Sequence, residues 1–140
     1  MNNIDAYDVT LRDGTQGEGV SFSVEDKIRV ALKIDELGIK YIEGGWPGSN
    51  DRDEAFFKKI KNEKLINSKL TAFGSTRRAN NNCDNDANVQ SLLKAETDVI
   101  TIVGKTWDFH VKKALKISNE ENLELISDTI EYLKKRTDEV

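Results

Sequence analysis

Val99-Ile100-Thr101-Ile102-Val103 is an unbroken β-branched run. A strand with one face in water alternates apolar and polar side chains. A continuous β-branched run instead suits a strand covered on both faces, as in a parallel sheet flanked by helices. Downstream, Trp107 to Leu115 reads as a short helix. Ser118 and Glu121 then form a capping box for a long helix whose Leu123, Ile126, Ile130 and Leu133 make one stripe, at spacings of 3, 4 and 3. Upstream, Lys69 to Phe73 is a strand ending at Gly74, and a polar loop leads to a helix from Ala87 to Ala95. Lys40 to Gly44 is another strand, followed by the loop Gly44-Gly45-Trp46-Pro47-Gly48 and by a helix from about Asp51 that carries Phe56, Phe57 and Ile60. Tyr7 to Leu11 is the first strand. Ser23 and Asp26 cap the helix after it, which carries Ile28, Ala31, Leu32, Ile34 and Leu37 and ends at Gly38.

With Asp8, Tyr41, Leu70 and Val99 as equivalent positions, the units repeat every 33, 29 and 29 residues. A (β/α)₈ barrel of ~250 residues divides into roughly 31 per unit. Solenoids of similar period repeat side-chain signatures, and these units do not. A doubly wound parallel sheet has the same alternation, so periodicity leaves both architectures open. Read as a barrel, residues 1–140 are its first four βα units, and a fifth strand is expected to begin at about Thr137 to Val140.

Composition narrows the function class. A net charge of −4 among 140 residues gives no basic surface for nucleic acid or an anionic membrane. No apolar run approaches the ~20 residues a bilayer span requires, and no export signal opens the chain. The single cysteine, Cys83, excludes an internal disulfide and fits a reducing, cytoplasmic setting. Gly14, Gly17 and Gly19 do not match a dinucleotide fingerprint, and no Walker lysine pattern occurs.

Polar chemistry gathers after the strands. The first runs into Arg12-Asp13, the second contains Glu43, the third leads to Ser75-Thr76-Arg77 and the fourth to Gly104-Lys105-Thr106. In a parallel barrel this rim is where sites form. A carboxylate beside a guanidinium can hold a metal while the cation faces developing oxyanion charge, or can be a plain ion pair. Glu43 is either a site carboxylate or the partner of a nearby cation. Of Arg77 and Arg78, one is expected to face inward as an anion binder and the other to be solvated. His110, the sole histidine, is expected to pack or cap rather than to bind metal. The segment Asn80 to Asp86 lacks the glycine and glutamate of a calcium loop.

Leu11-Arg12-Asp13-Gly14-Thr15-Gln16 resembles the signature of the metal-dependent, Claisen-condensing barrel enzymes, which include the 2-isopropylmalate, homocitrate and citramalate synthases and the related hydroxymethylglutaryl-CoA lyases. Four stretches resemble the citramalate synthase branch: Asp13 to Ser23, Tyr41 to Asn50, Phe73 to Arg78 and Gly104 to Asp108. Val9 departs from the threonine expected there. The resemblance covers the whole chain and implies the N-terminal half of a catalytic barrel domain, α/β in class. It implies condensation of acetyl-CoA with pyruvate to give citramalate, a step toward isoleucine, with a divalent metal (Mg, Mn or Zn) gripping the 2-oxoacid. Carried over by position, Asp13 would ligate the metal, Arg12 would be the catalytic cation, and Arg12, Gln16, Glu43 and Arg77 would bind substrate.

The resemblance also implies what these residues lack: a His-x-His pair, an asparagine and a catalytic carboxylate that the family takes from later strands. The 140-residue chain alone is therefore expected to be inactive. Open sheet edges at the first and fourth strands are expected to drive self-association into a homo-oligomer. The alternatives are 2-isopropylmalate synthase or another 2-oxoacid condensing enzyme and, in a different class, a non-catalytic half-barrel that binds a ligand or another chain.

Overall fold

The computed structural model describes residues 4–140. Four parallel strands lie side by side in chain order, β1 (Tyr7–Asp8), β2 (Tyr41–Gly45), β3 (Lys69–Ser75) and β4 (Val99–Val103). Helices α1 (Val24–Glu36), α2 (Asp51–Ile60), α3 (Ala87–Ala95) and α5 (Asn119–Lys134) alternate with them, while α4 (Asp108–His110) is a single turn continued by a π-helical turn, Val111–Leu115. These are the first βα units of a barrel. At Glu139 the chain comes alongside Val99 in parallel, and the Ile100 N–H donates to the Glu139 carbonyl. That is the fifth-strand position.

Strand alternation sorts the side chains. Ile42, Leu70, Ala72 and Ile100 point outward and pack against Ala31, Ile34, Phe56, Phe57, Val89 and Leu92 of the helices, forming the hydrophobic core. The opposite parity, with Tyr7, Glu43, Thr71 and Thr101, faces the barrel interior and is polar. Both capping boxes form: the Ser23 hydroxyl accepts from the Asp26 N–H, and the Ser118 hydroxyl from the Glu121 N–H. Gly38, at φ +76°, ends α1 as expected.

Three expectations are corrected. The first strand stops at Asp8 rather than Leu11, because the Asp8 carboxylate accepts from both the N–H and the hydroxyl of Thr10 and bends the chain there. β4 is buried at Val99 and Ile100, but Val103 is 39% exposed, so the run is two-face buried only at its start. The long helix buries Asn122, Leu125, Thr129 and Leu133. Leu123 is 66% exposed, so the stripe drawn through it is rotated from the face that packs. Thr129 belongs inside because its hydroxyl donates to the Leu125 carbonyl and accepts from the Arg77 N–H.

Candidate active site

The chain turns sharply after Asp8. The N–H groups of Arg12 and Gly14 both donate to the Val9 carbonyl, and the Thr15 hydroxyl donates to the Arg12 carbonyl. Leu11, fully buried, pins this turn to the core. The turn carries Arg12 over the C-terminal ends of β2 and β3. There its Nε–H donates to Glu43 Oε1 at 2.5 Å and its Nη1–H to Asp13 Oδ1 at 2.9 Å. The guanidinium carbon lies 4.1 Å from the centroid of the Phe73 ring, a cation–π contact that holds the plane of the fork. Trp46 in turn packs edge-on against Phe73.

Burial grades across the cluster. The Glu43 side chain is 2% exposed, Arg12 20% and Asp13 59%. Two carboxylates against one guanidinium leave one negative charge, on the exposed side at Asp13. The arrangement therefore favours a cation at the rim and keeps the guanidinium edge available for an oxygen.

The position of Glu43 depends on a local irregularity. Glu43 pairs with Thr71 but Gly45 pairs with Ala72, so Gly44 is an extra residue in β2. A Cβ on Gly44 would lie 2.6 Å from a ring carbon of Phe56, so only glycine fits. Gly45 adopts φ +150°, and a Cβ there would meet the Asp53 carboxylate at 2.7 Å. That carboxylate accepts from the Trp46 N–H and from Lys27 Nζ at 2.6 Å. Lys27 is fully buried, and burial pushes its ammonium down while Asp53 opposes the shift. A buried ion pair thus clamps the loop that follows Glu43.

The structure brings Arg12, Asp13 and Glu43 together, and the cation paired with Glu43 is Arg12. Gln16 ends the 3₁₀ turn Gly14–Gln16 and is exposed on the same loop, without a hydrogen bond to the cluster among the described residues. Arg77 is a correction. Its guanidinium turns to the outer layer, donating to Asp128 at 2.5 Å and to the carbonyl of Asn81, so it is not an inward anion binder. The competing carboxylate on α5 decides its direction. Arg78 is exposed, as expected. His110 packs edge-on against Trp107 at 4.6 Å, the packing role expected of it. Cys83 is buried, and burial pushes its thiol up despite the nearby Arg77. Among the described residues no three metal-ligating side chains come together. The described residues do not by themselves form a metal site, and Asp13 is the one exposed carboxylate of the Arg12 cluster.

Tyr7, Thr71, Phe73, Thr101 and the Lys27–Asp53 pair were missed as supporting groups. A partial signal existed for the strand residues: a period of two puts Thr71 and Phe73 on one face of β3, but that Glu43 and Thr101 share that face follows only from the register between strands.

The chain matches the HMGL-like family over residues 3–140. It belongs to that family. An (R)-citramalate synthase of Geobacter sulfurreducens is 64% identical over 140 residues, which is all of this chain and 26% of the relative. An (R)-citramalate synthase of Aquifex aeolicus is 61% identical over 134 residues, 96% of this chain and 25% of the relative. Homocitrate synthase AksA of Methanothermobacter thermautotrophicus is 38% identical over 133 residues, 95% of this chain and 32% of that protein. The chain thus spans between a quarter and a third of the length of these curated relatives. Among solved structures, HMG-CoA lyase of Bacillus subtilis superposes with a TM-score of 0.71 at 19% identity, covering 94% of this chain and 43% of the lyase. At that identity the likeness establishes the fold, the barrel of this HMGL-like member. The helices of the described residues are not long and apolar enough to cross a membrane.

Proposed function

We propose that this chain is the portion of a cytoplasmic (R)-citramalate synthase that carries Arg12, Asp13 and Glu43, within a catalytic barrel domain that condenses acetyl-CoA with pyruvate. The carrying observation is the Arg12 fork, fixed by a buried Glu43 on one side and an exposed Asp13 on the other. In the condensation a base outside these residues takes a proton from the acetyl methyl, and the new carbon–carbon bond forms at the keto carbon as the keto π bond opens. Negative charge gathers on the keto oxygen, and water then cleaves the thioester to free CoA. A guanidinium has five N–H donors. Glu43 and Asp13 use only the Nε–H and one Nη1–H, and the remaining donors, without hydrogen-bond partners among the described residues, would serve the keto oxygen. Gln16 is proposed to contact substrate from the same loop. Asp13 would supply one oxygen to a divalent cation whose other ligands lie outside these residues.

The test is a graft in which this chain replaces the matching quarter of the Geobacter enzyme, followed by pyruvate-dependent release of CoA from acetyl-CoA. Turnover is expected, and Arg12→Lys is expected to lower kcat by roughly 10²–10³-fold. A folded graft without pyruvate-dependent release overturns the proposal. A graft that prefers a bulkier 2-oxoacid moves the assignment to a homocitrate or 2-isopropylmalate synthase. The 140-residue polypeptide alone is expected to show no turnover, and light scattering is expected to show it self-associated.

A further inference from the structure

Four side chains, one from each strand, form a continuous hydrogen-bonded line across the inner face of the sheet. The Tyr7 hydroxyl lies 2.7 Å from Glu43 Oε2 and 2.6 Å from Thr101 Oγ1, and Thr101 Oγ1 lies 2.8 Å from Thr71 Oγ1. The direction of every bond follows from the chemistry at one end. Glu43 is ion-paired to Arg12, and an ionised carboxylate only accepts. Tyr7 must therefore spend its single proton on Glu43. The Tyr7 oxygen is then left as an acceptor, so Thr101 donates to it, and Thr71 donates to Thr101. The line runs one way, from buried Thr71 on β3, through Thr101 on β4 and Tyr7 on β1, to Glu43 on β2.

We propose that Tyr7 is a positioning residue for the Glu43–Arg12 pair, and that Thr101 and Thr71 hold its phenol in the donating orientation. With Oε1 taken by Arg12 and Oε2 by Tyr7, the carboxylate plane has no freedom to rotate, and Arg12 inherits its direction from it. The phenol remains a donor over the working pH range. Burial, with an opposing contribution from the Thr101 hydrogen bond and a further upward one from Glu43, pushes its pKa up to about 12. What the positioned pair acts on rests on the synthase reading, but the positioning itself does not.

Hydrogen exchange of the Arg12 Nε–H in the 140-residue chain reads the effect directly. Tyr7→Phe is expected to speed that exchange by about tenfold or more while backbone amides of the core keep their rates, as a local opening would. Thr101→Val is expected to give a smaller acceleration, and Thr101→Ser to restore the original rate. Unchanged Arg12 exchange in Tyr7→Phe overturns the proposal. Acceleration shared equally by all amides also overturns it, since that is a general loss of stability. In the grafted synthase, Tyr7→Phe is expected to lower kcat roughly 10–100-fold with little change in the KM for pyruvate. A graft that never turns over would count against the synthase reading alone and leave the exchange result to decide this one.

Discussion

The two ends of the strands carry the same three groups in opposite circumstances. Toward the C-terminal end, a carboxylate and a cation meet as Glu43 and Arg12, and the phenol of Tyr7, which starts β1 level with Tyr41, reaches up to them. At the N-terminal end, Tyr41 donates to one oxygen of Glu139 at 2.7 Å and Lys69 to the other at 2.8 Å. The Glu43 side chain is 2% exposed, whereas those of Glu139 and Lys69 are 37% and 47% exposed. Burial, rather than the identity of the groups, makes one set a candidate for chemistry and the other a solvated tie. The cations differ to match. Arg12 is a planar fork that can hold two carboxylates and still present donors, whereas Lys69 is a point charge on a flexible stem. In a parallel barrel the first end is where sites gather and the second serves stability.

The largest expected difference comes from removing each carboxylate. Glu43→Ala takes from the partly buried Arg12 guanidinium and the Tyr7 phenol the buried carboxylate they share and is expected to cost about 3 kcal/mol, the lower end of the range for breaking a buried pair. Urea unfolding of the chain measures it. A cost below about 1 kcal/mol would mean that water reaches the Arg12 pocket, and the contrast between the two ends would collapse. The next effect tests the bulge that only the upper end has. Gly44→Ala drives a methyl against Phe56 and is expected to cost about 1–3 kcal/mol by overpacking. It should also loosen Glu43, so in the grafted synthase kcat should fall further than the stability loss alone would explain. An alanine accepted there without penalty would mean that the extra residue does not aim Glu43.

These contrasts show how far the sequence carries. The order of the elements was readable because each helix announces itself: Ser23 with Asp26 and Ser118 with Glu121 are reciprocal caps, and the β-branched run at Val99 has no other comfortable home. Arg12 and Asp13 stood out because charge at the end of an apolar strand needs a reason. What could not be read was which groups would meet. Arg77 looked equivalent to Arg12, yet Asp128, 51 residues later in the chain, draws it outward. Leu123 looked like core because a helical stripe can be drawn through it, but polar Asn122 and Thr129 are buried beside Leu125 and Leu133. Asn122 Nδ2 donates to the Lys105 carbonyl while its buried Oδ1 has no partner among the described residues, and the Thr129 hydroxyl donates to the Leu125 carbonyl. Tyr7 looked like a strand former. Its role appears only once β4 brings Thr101 alongside, 94 residues away.

A smaller effect concerns carboxylates held by N–H groups instead of cations. Asp35, near the end of α1, accepts from the N–H groups of Ile66, Asn67 and Ser68, and Asp86 caps α3 while accepting from the Arg78 N–H. Burial alone would raise both carboxyls, but these donors outweigh it and hold them below the usual range. The unfolded chain therefore binds protons more readily, and the stabilisation is fully present above about pH 4 and is lost as pH falls through the folded values. Asp35→Asn is expected to be less stable than the parent near neutrality, with the gap closing as pH falls in an acid-unfolding series. A gap that stays constant with pH would remove Asp35 from the acid response.

The smallest effect is expected at the lower end. Glu139→Gln keeps the backbone carbonyl that accepts from Ile100 and keeps an acceptor for Tyr41, losing only the charge that faces Lys69. That charge sits in high dielectric, and its attraction falls off over a Debye length of about 3 Å at about 1 M salt, compared with about 10 Å at about 0.1 M. The variant should therefore differ slightly from the parent at low salt and match it at high salt, while the Glu43→Ala deficit persists at both. Salt separates the two triads more sharply than either substitution alone, because screening reaches only the pair that water already touches. If high salt erased the Glu43 deficit as well, Arg12 would be a surface cation and the site would lose the rigidity that its proposed chemistry requires.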